Sequence, residues 1–204
     1  MPLSGRLIRR FPDDARRLRY CRSLTNPEQP SSGVERSDPA VAALHSEVDG
    51  VTRRLHVLHA TRLHCQRGCS ACCADGLTVF DAEADLIRAH HADLLARGVA
   101  GAAGGCAFLA HDGACRIYAE RPYVCRTQGL PLRWIEEAEN GRPAVELRDI
   151  CPLNEAGPAI ETLPADDCWT IGPIEVRLAR LQIEGGGARC RTRLRDLFAS
   201  TTSD

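Results

Sequence analysis

The distribution of cysteines constrains this 204-residue chain more than any other feature of its sequence. Eight of its 11 cysteines lie between positions 65 and 151, and four of these fall within nine residues. Thiolates bind soft or borderline metal ions, and short Cys-x2-Cys or Cys-x3-Cys spacings can direct two sulfurs at one ion. Gly68 favours a tight turn inside the cluster. The sequence therefore predicts eight metal ligands, which are Cys65, Cys69, Cys72, Cys73, Cys106, Cys115, Cys125 and Cys151.

The remaining composition excludes several classes of function. The net charge of −1 provides no electrostatic attraction to nucleic acid or to a membrane surface, so we expect neither as a partner. All 26 basic residues are arginine, which excludes a Schiff-base lysine and a phosphate-loop lysine. The basic N-terminus lacks the apolar stretch of a secretory signal, so we expect a cytoplasmic protein. In a reducing cytosol, clustered cysteines bind metal or do redox chemistry more often than they form disulfides.

Shifts in composition divide the chain into three parts. Residues 1–38 are an Arg-rich arm and a linker rich in helix-breaking residues, which could be disordered. Residues 39–155 combine a helix with the cysteine cluster in one metal-binding domain. Residues 156–204 are predicted to form a C-terminal helical extension that packs on this domain.

A helix is predicted over residues 39–63, with Pro39 at its first position. Its apolar stripe is short for an autonomous coiled coil, so the helix either packs on the domain or pairs with a protein partner or a second copy of the chain. The stripe consists of Val41, Leu44, Val48, Val51, Leu55 and Leu58. Four histidines on or just after this helix are secondary candidates for metal ligands, although such residues are more often solvated or at the edge of a core. These are His45, His56, His59 and His64.

The other predicted elements are short. An extended segment at 77–80 precedes a helix over 81–98. Hairpins are predicted at 106–118, around an Asp-Gly turn, and at 132–150, around an Asn-Gly turn. Two helices separated by glycines are predicted within 173–198. The fold class is therefore α+β, a mainly helical small domain with short hairpins organised around a cysteine-ligated metal centre.

Arg121 and Arg126 lie on either side of one cluster cysteine. Each could form a surface ion pair or a helix cap. Alternatively, both support the metal centre by donating N–H groups to thiolates or buried carbonyls, which offsets the charge on the sulfurs. Cys21, Cys168 and Cys190 lie outside the cluster, so we expect them not to be ligands. If Cys21 and Cys190 are surface positions, they should tolerate substitution by serine.

The cluster resembles a known family. Its spacing is Cys65-x3-Cys69-x2-Cys72-Cys73, then Cys106-Ala-Phe-Leu, then Cys115-Arg-Ile-Tyr-x2-Arg-Pro-x2-Cys125-Arg. This pattern resembles the YkgJ-type cysteine-cluster family, which carries the CxxCxxCC domain and is described as zinc- or iron-chelating. The resemblance covers residues 60–155, and Cys151 is similar to the last cysteine of the family. The first spacing is x3 here, where many relatives have x2. The resemblance implies a metal centre without a settled activity.

The arrangement of sulfurs leaves the number and type of metal centres open. Adjacent side chains of an extended chain point in opposite directions, so Cys72 and Cys73 serve different centres, or only one of them is a ligand. Eight thiolates make two four-sulfur sites, and without metal so many anions would repel one another. Sulfur-only tetrahedral sites suit zinc or an iron–sulfur cluster. The mixture of long and short spacings is less typical of paired zinc knuckles, which slightly favours a [4Fe–4S] cluster over zinc.

Three classes of function remain. The first is a metal-binding module for metal handling or protein interaction. The second is an iron–sulfur-dependent protein-modifying enzyme similar to flagellin lysine N-methylase, which resembles the family; no catalytic residues can be assigned. Cys65, Cys69 and Cys72 also match the radical-SAM spacing, but too few residues follow them for the usual partial barrel. The third is a thiol redox protein that uses Cys72 with Cys73 or Cys69, although no thioredoxin-like pattern accompanies these cysteines.

The predicted loops and hairpins of the central region bury too little apolar surface to order themselves. Metal binding, worth about 10 kcal/mol for a structural zinc site, would then supply folding free energy to this region. We expect chelation, or loss of a cluster in air, to open residues 64–155 to proteases while much of the helical circular-dichroism signal persists. Unchanged protease protection of this window after metal removal would show that the cysteines do not hold the fold.

Overall fold

The computed structural model describes residues 19–20, 34–138, 143–187 and 190–198. The helices are α1 (Val34–Leu58), α2 (Asp81–His90), α3 (Ala92–Arg97), α4 (Tyr123–Arg126) and α5 (Pro173–Glu184). The strands are β1 (Arg19–Tyr20), β2 (Thr78–Phe80), β3 (Leu132–Glu136), β4 (Val145–Asp149), β5 (Trp169–Thr170) and β6 (Cys190–Arg193). Short 3-10 helices occupy Pro152–Asn154, Ile160–Thr162, Ala165–Asp167 and Leu194–Leu197. This mixture of helices and small sheets agrees with the α+β class predicted from the sequence. No helix within the described ranges is long and apolar enough to cross a membrane.

The strands form two three-stranded sheets, with the orders β1-β6-β2 and β4-β3-β5. β3 and β4 pair antiparallel in register, from Leu132 opposite Asp149 to Glu136 opposite Val145. This pairing confirms the hairpin predicted over 132–150, although its turn lies outside the described residues. In each sheet a further strand joins in parallel: β5 pairs with β3, and β1 pairs with β6.

The apolar stripe of α1 faces the domain interior over most of its length. Of the six stripe positions, Val51 and Leu58 are 43% and 48% exposed, and the other four are buried. The helix begins at Val34, five residues earlier than predicted, so that Pro39 lies inside it. It ends at Leu58 because the next residues form turns, in which His59 and Arg62 donate hydrogen bonds to carbonyls of the 156–167 loop. Pairing of α1 with another chain stays a prediction.

Two clusters of buried apolar side chains form the core. The first packs α1 against α2, α4 and α5, with Leu55, Phe80, Leu130 and Leu178 among its fully buried members. The second lies beyond β2 and is formed mainly by Val79, Ile87, Leu95, Phe108, Ile117, Leu194, Leu197 and Phe198. β2 separates the two clusters, because successive side chains of a strand point to opposite faces. Val79 belongs to the second cluster and Phe80 to the first.

Three predicted elements differ from the structure. The second tail helix is wrong: β6 occupies Cys190–Arg193, because this segment pairs with β2 and buries alternate residues. The helix predicted over 81–98 is interrupted at His91, which separates α2 from α3. The hairpin predicted over 106–118 is reduced to one antiparallel bridge, between Leu109 and Cys115. Nonlocal pairing and close loop packing, which local sequence patterns do not report, decide these three segments.

A buried carboxylate joins α1, α2 and α4. Glu83, in the first turn of α2, is 2% exposed. Its Oε1 atom lies 3.0 Å from Nε2 of His45 on α1 and accepts a hydrogen bond of 2.7 Å from the backbone N–H of Tyr123, the first residue of α4. Its Oε2 atom accepts a hydrogen bond of 3.3 Å from the backbone N–H of Phe80. One carboxylate therefore satisfies donors from three separate segments.

We expect Glu83→Ala to lower the free energy of unfolding by about 3–5 kcal/mol, because it leaves buried donors without an acceptor and removes one partner of a buried pair. Asp93→Ala is the matched control, since the ion pair of Asp93 with Arg97 is largely exposed. The control should change the free energy of unfolding by less than about 0.5 kcal/mol. Urea unfolding of both variants measures the difference, and equal losses would contradict the role assigned to Glu83.

Candidate metal centre

The first four cysteines of the cluster lie on one compact loop, residues 65–73. Two backbone hydrogen bonds of 2.9 Å fold it, from Cys69 N to Gln66 O and from Cys73 N to Ser70 O. Gly68, inside the first turn, has a φ of +87°, which agrees with the tight turn predicted for it. The cysteine loop, as we call residues 65–73, therefore holds four thiols within two consecutive turns.

The side chain of Asn154 links the start of the cysteine loop to the last cysteine of the cluster. Its Nδ2 atom donates to Gly129 O at 2.8 Å and to Cys65 Sγ at 3.4 Å, and its Oδ1 atom accepts from the backbone N–H of His64 at 2.9 Å. Its backbone N–H donates to Cys151 O at 2.7 Å. Asn154 is 0% exposed, so one buried residue holds Cys65 and Cys151 in place together.

Gly129 forms the wall behind the Cys65 sulfur. A Cβ atom at this position would lie 2.5 Å from Cys65 Sγ, closer than van der Waals contact allows. The backbone of Gly129 also has a φ of +91°, a conformation that side-chain-bearing residues rarely adopt. The sulfur therefore occupies space that only a glycine leaves free.

Three cysteines of the cluster, Cys73, Cys106 and Cys115, lie in or against the second core cluster. The backbone N–H of Cys106 donates to Cys73 O at 2.9 Å, beside a bridge between Ala74 and Gly105. Cys106 is buried within the second core cluster, and Cys73 and Cys115 pack against it half-buried. Cys125 follows in α4, the helix whose first N–H is bound by Glu83. Cys73, Cys106 and Cys115 thus meet at the second core cluster.

The cysteine loop also packs directly against the turn at residues 111–113. A Cβ atom at Gly113 would lie 3.1 Å from both Cα and O of Gly68, so the two backbones touch directly. Arg67 and Asp112 form an exposed ion pair of 3.7 Å across the same contact.

The thiols influence one another electrostatically. The pKa of Cys72 is lowered to about 7 because the Cys73 thiol donates a hydrogen bond to its sulfur. The same hydrogen bond raises the pKa of Cys73, which burial and the charges of Cys72, Cys106 and Cys125 raise further. Burial is the main cause that raises the pKa of Cys125, followed by the charges of Cys106 and Cys115. A bound cation would remove the penalty for deprotonating these thiols.

The last cysteine interacts with the other end of the cysteine loop. Burial raises the pKa of Cys151, and so do the charges of Cys65, Cys72 and Cys69, in that order. Together with the Asn154 contacts, this places the four sulfurs within electrostatic range of one another. The charge of Cys72 also raises the pKa of Cys73 and the pKa of Cys125, so the electrostatic contacts run through Cys72 and link both ends of the cluster.

All eight cluster cysteines are free thiols. Sulfur is the donor that zinc and iron–sulfur clusters prefer, so the chemistry of the donor set fits either metal. Among the residues that the structure describes, however, no group of three or more His, Cys, Asp or Glu side chains is already arranged to hold a metal ion. The metal centre that the sequence predicts is therefore not shown by the structure itself.

Arg121 and Arg126 both reach back to Asp49 on α1. Arg126 Nη1 donates to Asp49 Oδ2 at 2.5 Å, and Arg121 Nη2 lies 3.5 Å from Asp49 Oδ1. Their other hydrogen bonds go to the carbonyls of Tyr118 and Ala119. The guanidinium charge of Arg121 also lowers the pKa of Cys115, although burial, the larger effect, raises it. The two arginines hold α4 against α1, and their predicted support of a metal centre stays a prediction.

The histidine candidates have other partners in the structure. The rings of His56 and His59 donate hydrogen bonds of 2.7 Å to the carbonyls of Thr52 and Asp167. The ring of His45 is bound to Glu83, as described above, and the structure places the backbone of His64, rather than its ring, in contact with Asn154.

The cysteines outside the cluster occupy different environments. Cys168 is a buried free thiol, with Arg148 Nη1 at 3.7 Å from its sulfur. Cys190 is 4% exposed in β6 and is disulfide-bonded, so the condition on which tolerance of serine was expected, a surface position, is not met. Cys21 lies outside the described residues.

Sequence reasoning did not identify Glu83, Gly129 or Asn154 as residues that position the cluster. Asn154 follows Cys151 by three residues and Gly129 follows Cys125 by four, which is a weak signal. Their contacts arise only when segments distant in sequence come together.

The close approach of Gly129 to the Cys65 sulfur can be tested by adding a methyl group at position 129. Gly129→Ala and Gly104→Ala both place a side chain at a positive φ, at a cost of about 1–3 kcal/mol, but nothing lies within 4 Å of a Cβ at Gly104. Only Gly129→Ala forces the Cys65 sulfur away from Asn154. We expect it to lose at least about 1 kcal/mol more stability than the control in urea unfolding, and to retain less metal. Equal stability and equal metal content in the two variants would show that the contact with Cys65 does not matter.

The comparison with known proteins agrees with this geometry. Residues 64–151 match the family model CxxCxxCC, which carries the description "Putative zinc- or iron-chelating domain". The match covers less than half of the chain but includes all eight cluster cysteines. No curated protein and no solved structure matches the chain. The resemblance seen in the sequence is thus confirmed over this segment, which is similar to a family whose description supports a zinc- or iron-chelating role.

Proposed function

We propose that this chain is a metal-binding protein that holds iron in [4Fe–4S] form, in preference to zinc, through the eight thiolates of its CxxCxxCC domain. The observation that carries the proposal is the convergence of eight free cysteines, from five separate stretches of chain, on the cysteine loop and the segments packed against it. Free thiols at this density are unfavourable once deprotonated, and a bound cation offsets their repulsion.

The surroundings of Cys65 support a tuned metal centre. The N–H of Asn154 points at its sulfur, and such N–H···S contacts orient a ligand and adjust the redox potential of an iron–sulfur cluster. The Gly129 carbonyl and the His64 N–H hold the Asn154 carboxamide in the orientation that presents N–H rather than oxygen to the sulfur. When bound, the metal would cross-link the segments that carry the thiolates, and a cluster would add one-electron chemistry.

The two alternative functions, a protein-modifying enzyme and a thiol redox protein, require features beyond a metal centre or in place of it. A protein-modifying enzyme similar to flagellin lysine N-methylase needs a substrate site in addition to its cluster. A thiol redox protein needs Cys72 and its neighbours free of metal. No partner and no compartment follow from the geometry, so a cytoplasmic location and a protein partner remain part of the proposal.

Metal analysis after anaerobic purification tests the proposal. We expect a brown protein with broad absorption near ~400 nm and with iron and sulfide bound. Cys168→Ser is the control, because Cys168 is a free thiol outside the cluster and should leave the metal content unchanged. A colourless protein containing zinc would keep metal binding and reject the iron–sulfur assignment. Less than about half an equivalent of iron and zinc combined would reject metal binding, and reversible oxidation of Cys72 would then favour the redox function.

A further inference from the structure

We propose that Arg195 is a positioning residue for the cysteine cluster, because it fastens the glycine loop, as we call residues 101–105, which directly precedes Cys106. Arg195 lies in the 3-10 helix Leu194–Leu197, outside the segment that matches the family model. The inference rests on the proposed metal binding and deepens it, because it adds a residue on which retention of the metal depends.

The guanidinium group of Arg195 binds four acceptors at once. Its Nε atom donates to Oδ1 of Asp75 at 2.8 Å, and its Nη1 atom donates to the carbonyl of Gly101 at 2.8 Å. Its Nη2 atom donates to the carbonyls of Ala102 and Gly105, at 3.1 and 2.9 Å. Three of the four acceptors belong to the glycine loop, so one planar side chain holds this loop closed and ties it to Asp75.

Asp75 also holds the glycine loop directly. Its Oδ2 atom accepts a hydrogen bond of 3.1 Å from the backbone N–H of Gly104. Its Oδ1 atom, which binds Arg195, also accepts a hydrogen bond of 3.0 Å from the backbone N–H of Gly76. Because a loop with three glycines loses much backbone entropy when it becomes ordered, contacts from outside the loop are needed to hold it.

The glycine loop leads directly into the cysteine cluster. Gly105 forms an antiparallel bridge with Ala74, and the backbone N–H of Cys106 donates to the carbonyl of Cys73 at 2.9 Å. Asp75 follows Ala74 in the chain, so the guanidinium group is anchored one residue from this bridge. The bridge joins the two segments that carry Cys73 and Cys106.

The neighbours of Arg195 in the chain keep it in place. Leu194, Leu197 and Phe198 are buried in the second core cluster. The ring centroid of Phe198 lies 5.0 Å from that of the fully buried Phe108. The 3-10 helix is therefore fixed by its apolar side chains, while its guanidinium group binds the glycine loop.

Loss of this side chain should act locally. Without Arg195, three carbonyls lose a charged donor, and the glycine loop separates more often from Asp75. The bridge next to Cys106 then opens without unfolding of the whole domain. Each opening moves Cys106 away from Cys73, so a metal held by these sulfurs dissociates faster.

Arg195→Gln tests this role in the protein as purified, with Arg177→Gln as the matched control. Arg177 also donates two charged hydrogen bonds, of 2.6 and 2.7 Å, but to Glu47 on α1 instead of to the glycine loop. We expect backbone amides of residues 101–107 to exchange with deuterium at least about tenfold faster in Arg195→Gln, and metal release to a chelator to accelerate by a similar factor. The control should match the wild type in both measurements.

Two further variants separate positioning from charge and from a failure to fold. Arg195→Lys keeps the charge but lacks the planar fork, so we expect it to leave exchange and metal release fast. Asp75→Asn keeps the three carbonyl acceptors of Arg195 and should give the same pattern at smaller size. Full rescue by lysine would show that charge alone suffices and would overturn the positioning role.

The location of the exchange decides between positioning and general stability. Faster exchange spread equally over the glycine loop and the β3–β4 hairpin would show a general loss of stability and overturn the inference, as would unchanged exchange in the loop. Faster loop exchange with unchanged metal release would overturn the link to the metal. A wild-type chain without bound metal would reject the proposed function instead, and the exchange at Cys106 would still decide whether Arg195 positions it.

Discussion

The Glu83 carboxylate is buried, so several separate segments must each bring a hydrogen-bond donor to it. A carboxylate taken out of water is costly unless donors surround it, and the donors here come from α1, from the end of β2 and from the start of α4. Asp49, one helical turn after His45 on α1, binds Arg126 at the other end of α4. Two acidic residues thus hold both ends of the four-residue helix that carries Cys125. The position of one sulfur therefore depends on contacts made far from the cysteine loop.

How much of this could be read from the sequence depends on how local the determining interactions are. The buried part of the α1 stripe, the β3–β4 hairpin and the cysteine spacing are local patterns, and the structure or the family match agrees with each. β6 could not be predicted, because its strand conformation follows from pairing with β2 more than 100 residues earlier in the chain. Asn154 and Gly129 could not be identified either, since a polar residue or a glycine near a cysteine is ordinary until tertiary packing brings it to the sulfur.

The segment recognised by its cysteines is not the unit that packs. The first core cluster joins α1 and α5, which lie outside residues 64–151, to Phe80, Tyr123 and Leu130, which lie inside. The second cluster is completed by Leu194, Leu197 and Phe198 from the end of the described chain. Asn154, which holds the first and last cysteines of the cluster, also follows the matched segment. The flanking regions are therefore part of the scaffold around the cysteines.

The contact between Gly68 and Gly113 has a consequence for how the cysteine cluster can change in evolution. Where side chains separate two loops, substitutions can adjust the gap by the width of a methyl group at a time. Here a Cβ atom at position 113 would lie 3.1 Å from the backbone of Gly68, so a side chain there would push the two loops apart. A side chain at position 113 would therefore displace the cysteine loop, and with it the four thiols that the loop carries.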